Sequence, residues 1–363
     1  MPVSLSDRCS TKLPSEVFAL HISPNSNLVA AGLGDGTIAV LSTSDAAILY
    51  TLVPPSNGQS DITLPVTAVK WRPCTSSSST KNVLLSGHSD GFLNHWHVTS
   101  GQLLHSIEEV DNQIYAVDYS KDDLAVRVYD EQTKSLVCLF KKGLGRSIIG
   151  HSNRIFSIRF SPLDPSIIFS TGWDNNVVAW DMRTGAAIRS FYGPHCCGDS
   201  LNITRNGRLL IGSWRNADQL EIYQSDGTLV KQLDVDHDVT SDVKKETDNC
   251  LIYAARFLSS GSVAIVGGSG VNCSLLIDIE TGQHLGRLFF KSAVYSIDTD
   301  DVDFCVIGTG DGLVRMVDVN FGVDYDEQEG ESQSFVTEVK NSSVVDSPGG
   351  VRWNRVMGKP IMR

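Results

Sequence analysis

The chain lacks any apolar run long enough to cross a bilayer, and its first residues, MPVSLSDRCSTK, lack the apolar core of a secretory leader. Those absences lead us to expect a cytoplasmic protein without membrane insertion, nuclear and ciliary settings staying open. Basic runs are scarce as well: nothing exceeds Lys141-Lys142 and Lys244-Lys245, and the net charge is −12. Phosphate backbones are held by a positive field, so nucleic acid is disfavoured as the main partner. The eight cysteines (Cys9, Cys74, Cys138, Cys196, Cys197, Cys250, Cys273 and Cys305) fall at no metal-ligand spacing. Without a leader they are expected as free thiols, and Cys196-Cys197 is too close for ordinary bridging or chelation. The glycines at 143 and 145 and the Gly267–Gly270 cluster are followed by neither Lys-Ser/Thr nor a helix, so no phosphate loop is present and no cofactor or metal is expected.

What the chain has is a repeated phrase. LLSGHSDGFLNHWHV (84–98) and IFSTGWDNNVVAWDM (168–182) share one frame, with Trp96 six residues after Asp90 and Trp180 six after Asp174. Weaker copies run from Asp35 to Leu41, Asp123 to Tyr129 and Asp311 to Val317, and degenerate ones end on Tyr223 and Ile277. Seven copies between Asp35 and Asp311 stand about 46 residues apart, near the roughly 40–45 of a four-stranded propeller blade. Seven apolar inner strands lead to the same count: VFALHIS, VTAVKWR, IYAVDYS, IFSIRFS, DSLNITR, IYAARFL and VYSIDTD.

Each copy alternates apolar and polar residues and is broken by Gly or Asp-Gly every eight to twelve residues, which predicts strands. With Gly150-His151 before the fourth inner strand and Trp180-Asp181 closing its third, the chain resembles the WD-repeat β-propeller family over about residues 14–320. The match is fullest in repeats two and four. The resemblance implies an all-β, single seven-bladed propeller of four-stranded antiparallel blades. We expect residues 1–320 to form it, with residues 2–12 closing the last blade and SFVTEV (334–339) the alternative, and 321–363 to be a flexible tail, acidic and then basic around Trp353.

The third repeat breaks the frame. In repeats one, four and seven the inner strand starts 17 to 19 residues before the turn Asp, but Ile114 lies only nine before Asp123, leaving no room for a second strand. Such a blade exposes unpaired backbone groups and should be the weak point. Either a three-stranded blade is tolerated or about ten residues are missing through a faulty gene model or splice form. The second reading is preferred, because the gap falls neatly between two strands.

In the family that the chain resembles, His151, Ser170, Asp174 and Trp180 form a structural tetrad rather than a catalytic set, His bridging Asp to Ser and Ser reaching the indole. Repeat two keeps Ser86, Asp90 and Trp96 but has no Gly-His before Val66, and His88, inside the turn, is not expected to substitute. Gly198-Asp199-Ser200-Leu201 with His237 resembles a GDSL esterase block, which would make Ser200 a nucleophile. It falls on an inner propeller strand, so this hydrolase is kept only as a remote alternative.

Surface chemistry remains. Trp173 and Trp214 occupy the same slot of the turn in adjacent repeats, with Arg215 beside one, Arg154 before an inner strand and His195 in a loop. Exposed Trp and Arg close together suit an interface, unless each Trp folds over its own loop. Insertions at 53–65 and 234–250 enlarge that face, and the Ser-rich 73–82 reads as a hairpin tip on the other. The expected function is a non-catalytic protein–protein interaction scaffold within a multi-subunit complex. A reader of a basic peptide such as a histone tail is the alternative, favoured by net acidity.

Overall fold

Repeat four shows how this sequence builds a blade. Ile155–Phe160, Ile167–Gly172, Asn176–Asp181 and Ala186–Tyr192 pair in order, each antiparallel to the next. The middle strands are buried on both faces, because neighbouring blades cover them, while Ala186–Tyr192 is mostly exposed at the rim. The turn between the middle strands explains the recurring Asp. Its carboxylate accepts the backbone N–H two residues on, as in Thr37 to Asp35 (3.0 Å), Phe92 to Asp90 (3.2 Å) and Asn176 to Asp174 (3.3 Å). The next residue is left-handed: Gly36, Gly91 and Gly312 at φ 82°, 91° and 85°, and Asn175 at 60°.

The structure, a computed structural model, describes residues 3–55, 64–73, 81–109, 113–119, 128–129, 136–138, 150–235, 249–300 and 302–322. Most of the insertions at 53–65 and 234–250, His237, most of the Ser-rich tip, and the tail from 323 onward with Trp353 lie outside them. The chain divides into Met1–Val323 and Asp324–Arg363.

Among the described residues there are six four-stranded blades, from repeats one, two, four, five, six and seven. The expectation of seven is therefore corrected. The third repeat contributes a strandless segment, 113–119, and a two-stranded ribbon, Val128–Tyr129 with Leu136–Cys138. With Asp123 only nine residues after Ile114, a four-stranded sheet cannot be threaded. The last blade takes its outer strand from the other end of the chain, Val3–Lys12 pairing antiparallel with Leu313–Phe321.

Apolar cores lie between blades. Leu210, Leu220 and Ile222 pack on Ile252, Phe257 and Val266; Phe169 and Val177 pack on Leu201 and Ile211; Ile38 and Val40 pack on Val66, Trp71 and Trp96. Repeats six and seven, and seven and one, share equivalent clusters. On the side of repeat four facing the third repeat, the core shrinks to Ile168, Val178 and Trp180 with partly buried neighbours.

The inner strands surround an axis where one residue of each repeat meets its neighbours. A side chain of one repeat accepts a backbone N–H of the next: His21 Nδ1 from Trp71 (3.3 Å), Asp118 from Phe160 (3.1 Å), Asn202 from Phe257 (3.1 Å) and Asp298 from Ile22 (2.7 Å). Between these acceptors stand cations. Lys70 Nζ lies 3.1 Å from Asp118, Arg159 lies 2.8 Å from Asp199, and Arg256 reaches Asp199 and Asp298. Segment 113–119 thus fills its place at the axis without making a blade.

Candidate functional site

Two hollows meet at this charged waist. The larger, about 450 Å³, is walled by Phe18, Phe156 and Tyr295, each second in its inner strand, by Tyr253 of strand Cys250–Leu258, and by Tyr115 of segment 113–119. The smaller, about 320 Å³, opens on the other side among Ser23, Pro24, Asn202 and Thr299. His21, Lys70, Arg159 and Arg256 line both. Three carboxylates face three cations at the waist. Arg159 and Arg256 hold the Asp199 carboxyl far below its usual range against the opposing effect of burial. Burial, with Lys70 nearby adding to it, pushes His21 down to about 3, so it is neutral.

The walls are organised rings. Phe18 stacks on Tyr295 at 5.5 Å, Tyr253 meets Tyr295 edge-on at 5.5 Å, and Tyr115 lies 5.0 Å from Phe156. Trp173 extends the wall outward, 5.4 Å from Phe156, and its Nε1 donates to Cys197 Sγ at 3.0 Å. The exposed Arg154 guanidinium sits over Trp173 at 5.3 Å and Tyr115 at 5.7 Å. Trp173 and Trp214 remain 37% and 39% exposed.

Trp173 and Arg154 are thus brought together. Trp214 occupies the neighbouring turn, its N–H bonded to the His195 carbonyl at 2.8 Å. His195 is tied down in turn, its Nδ1 2.6 Å from Asn175 and its N–H on Ser213. Arg215 is committed to its own turn and to the end of the preceding blade, donating to the carbonyls of Gly193, Ala217 and Asp218 and to the buried Glu221 at 2.6 Å. These two residues shape the turn rather than present free groups.

His151, Ser170, Asp174 and Trp180 form one chain of hydrogen bonds. His151 Nδ1 lies 2.9 Å from Asp174 and Nε2 2.8 Å from Ser170 Oγ, which accepts the Trp180 indole N–H at 2.7 Å. Every polar atom of the set is used, so Ser170 has no free direction for attack.

In repeat two the structure corrects the reading of His88. This residue, 2% exposed, brings Nε2 within 2.9 Å of Ser86 Oγ, which accepts from Trp96 Nε1 at 2.9 Å. A histidine on the strand itself replaces the missing one, and burial pushes it down to about 4. The spacing Ser-x-His within one strand was the available signal, since alternate residues share a face. Ser200 is fully buried and donates to the Gly212 carbonyl at 2.7 Å, while Asp199 is held by arginines. Neither is placed for ester chemistry.

Among the described residues no helix is long and apolar enough to cross a membrane. The WD domain, G-beta repeat family matches residues 7–41 and 143–181, which take in the turns at Asp35 and Asp174. The U3 small nucleolar RNA-associated protein 21 homolog of Schizosaccharomyces pombe is 29% identical over 196 residues, 49% of this chain and 20% of that protein. Nuclear distribution protein PAC1 of Candida dubliniensis is 27% identical over 35% of this chain and 26% of its own length. Protein transport protein sec31 of Aspergillus terreus is 23% identical over 50% of this chain and 14% of its own length. The aligned region thus spans about a quarter or less of these relatives. Repeated turns, four-stranded antiparallel blades, the hydrogen-bonded tetrad and these matches together support a WD-repeat family protein.

Proposed function

We propose that the protein is a non-catalytic interaction scaffold that docks a peptide segment or folded partner on the propeller face around the larger hollow. Trp173 and Arg154 are its central anchors, Trp214 is a flanking one, and His195 and Arg215 hold the flanking turn in shape. The observation that carries this reading is the exposed Trp173–Arg154 pair, continuous with the aromatic walls. Large aromatic and guanidinium groups at the mouth of a rigid hollow release much bound water on contact at little entropic cost. The relatives carry names as different as small nucleolar RNA association, nuclear distribution and protein transport, which supports a shared platform rather than a shared chemistry. Assembly into a multi-protein complex follows as part of the proposal.

The test is affinity capture from native extract, comparing wild type with Trp173→Ala/Trp214→Ala, both checked for equal folding by circular dichroism. Proteins lost only from the variant support the face, and identical captures overturn it. A basic peptide is favoured over a neutral one by the net charge of −12. Binding that weakens steeply with added salt would support that choice.

A further inference from the structure

The rings lining the hollow fall into two halves with different occupancy. On the side of repeat four, Tyr115 and Trp173 already carry a cation, the Arg154 guanidinium. On the opposite side, Phe18, Tyr295 and Tyr253 form a corner, two rings parallel and the third at 90°. No cation stands over these three rings, and neither tyrosine hydroxyl makes a hydrogen bond among the described residues. At the rim lies Glu16, exposed, its carboxylate accepting from Ser15 Oγ at 2.5 Å. Gly34 places it: a Cβ there would collide with the Glu16 carboxylate and come within 3.2 Å of the Phe18 ring, so both crowd one spot. No lysine or arginine pairs with Glu16 among the described residues.

Resting on the docking face proposed above, we propose that this corner seats a lysine or arginine side chain from a basic segment of a partner protein. Ring faces are negative and attract cations, and perpendicular rings offer both a wall and a floor. The charges at the waist balance, three carboxylates against three cations, and Arg154 stands over the rings of the other half, so the charge beside this corner is the Glu16 carboxylate. An apolar occupant would strip water from that carboxylate without replacing it, and an anion would be repelled by it. The net charge of −12 draws basic segments toward the molecule from a distance.

The test uses the full chain labelled with 3-fluorotyrosine, the Tyr253 and Tyr295 signals assigned from Tyr→Phe variants. Gly-Ser pentapeptides carrying one central arginine, lysine, norleucine or glutamate are titrated and followed by fluorine NMR. Arginine and lysine peptides should shift both signals saturably, about tenfold more tightly than norleucine. Glu16→Gln should weaken them about threefold, and Phe18→Leu should weaken them further while leaving the other tyrosine signals in place. Equal binding of norleucine, any saturable response to glutamate, or no response at either tyrosine overturns the corner. If Trp173→Ala/Trp214→Ala loses its partners while no cation shifts these signals, the docking face stands and the corner falls. If cations bind but capture is unchanged in that variant, the corner stands and the tryptophan anchors fall.

Discussion

Asp118 of the third repeat, whose described residues form no four-stranded blade, accepts the backbone N–H of Phe160 at 3.1 Å. The same carboxylate, 8% exposed, holds Lys70 Nζ at 3.1 Å. One residue of the third repeat therefore links repeats two and four. Where interblade apolar contact is thin, this polar link carries more of the closure. Asp118→Leu should cost about 3 kcal/mol, because it strands a largely buried ammonium and an amide donor. Asp118→Asn, which keeps an acceptor for Phe160, should cost less. Urea unfolding of both variants checks the order; equal stabilities would show that the link is idle.

Ser170 is the centre of its tetrad, bonded to His151 and Trp180. Ser170→Ala should lose about 1–3 kcal/mol for each buried group left without a partner. The equivalent change in repeat two, Ser86→Ala, should behave alike, because His88 completes that network. A neutral result at Ser86 with a large one at Ser170 would mean that His88 is a bystander.

The protein should lose stability as pH falls from about 6.5 toward 4. His88 is pushed down to about 4 and His21 to about 3, so both stay neutral in the fold, whereas an unfolded histidine protonates near 6.5. In that window the unfolded chain binds more protons, so stability rises with pH. Each histidine contributes on the order of 2 kcal/mol of loss at pH 5. Asp199, held low by its arginines, adds a further loss only below about 4, where an unfolded Asp protonates. Thermal melts from pH 4 to 8 measure the slope, and His88→Gln should flatten it. A slope unchanged in His88→Gln would remove that residue from the account.

Ser200→Ala should remove one buried hydrogen bond to Gly212, costing about 0.5–1.5 kcal/mol, and leave any background turnover of p-nitrophenyl acetate unchanged. Ester turnover that vanished in this variant would revive the hydrolase reading.

The sequence by itself determined the elements that depend on near neighbours. The Asp-to-Trp spacing marked the turns, because an Asp accepting the N–H two residues on and a left-handed Gly or Asn after it are local chemistry. Alternation marked the strands, and the nine-residue gap after Ile114 exposed the third repeat as deficient. Tertiary structure alone decided that the described residues of this repeat form no four-stranded blade, since strand pairing depends on whether a chain can reach its partners. It also decided the site. Phe18, Tyr115, Phe156, Tyr253 and Tyr295 stand tens of residues apart and become one wall only when the inner strands close around the axis. The charges of Lys70, Asp118, Arg159, Asp199, Arg256 and Asp298 looked scattered along the chain, and they balance only there. His88 is the smallest example: in sequence it is a turn residue, but in the folded blade its ring reaches back to Ser86, because burial leaves that hydroxyl no water to bond.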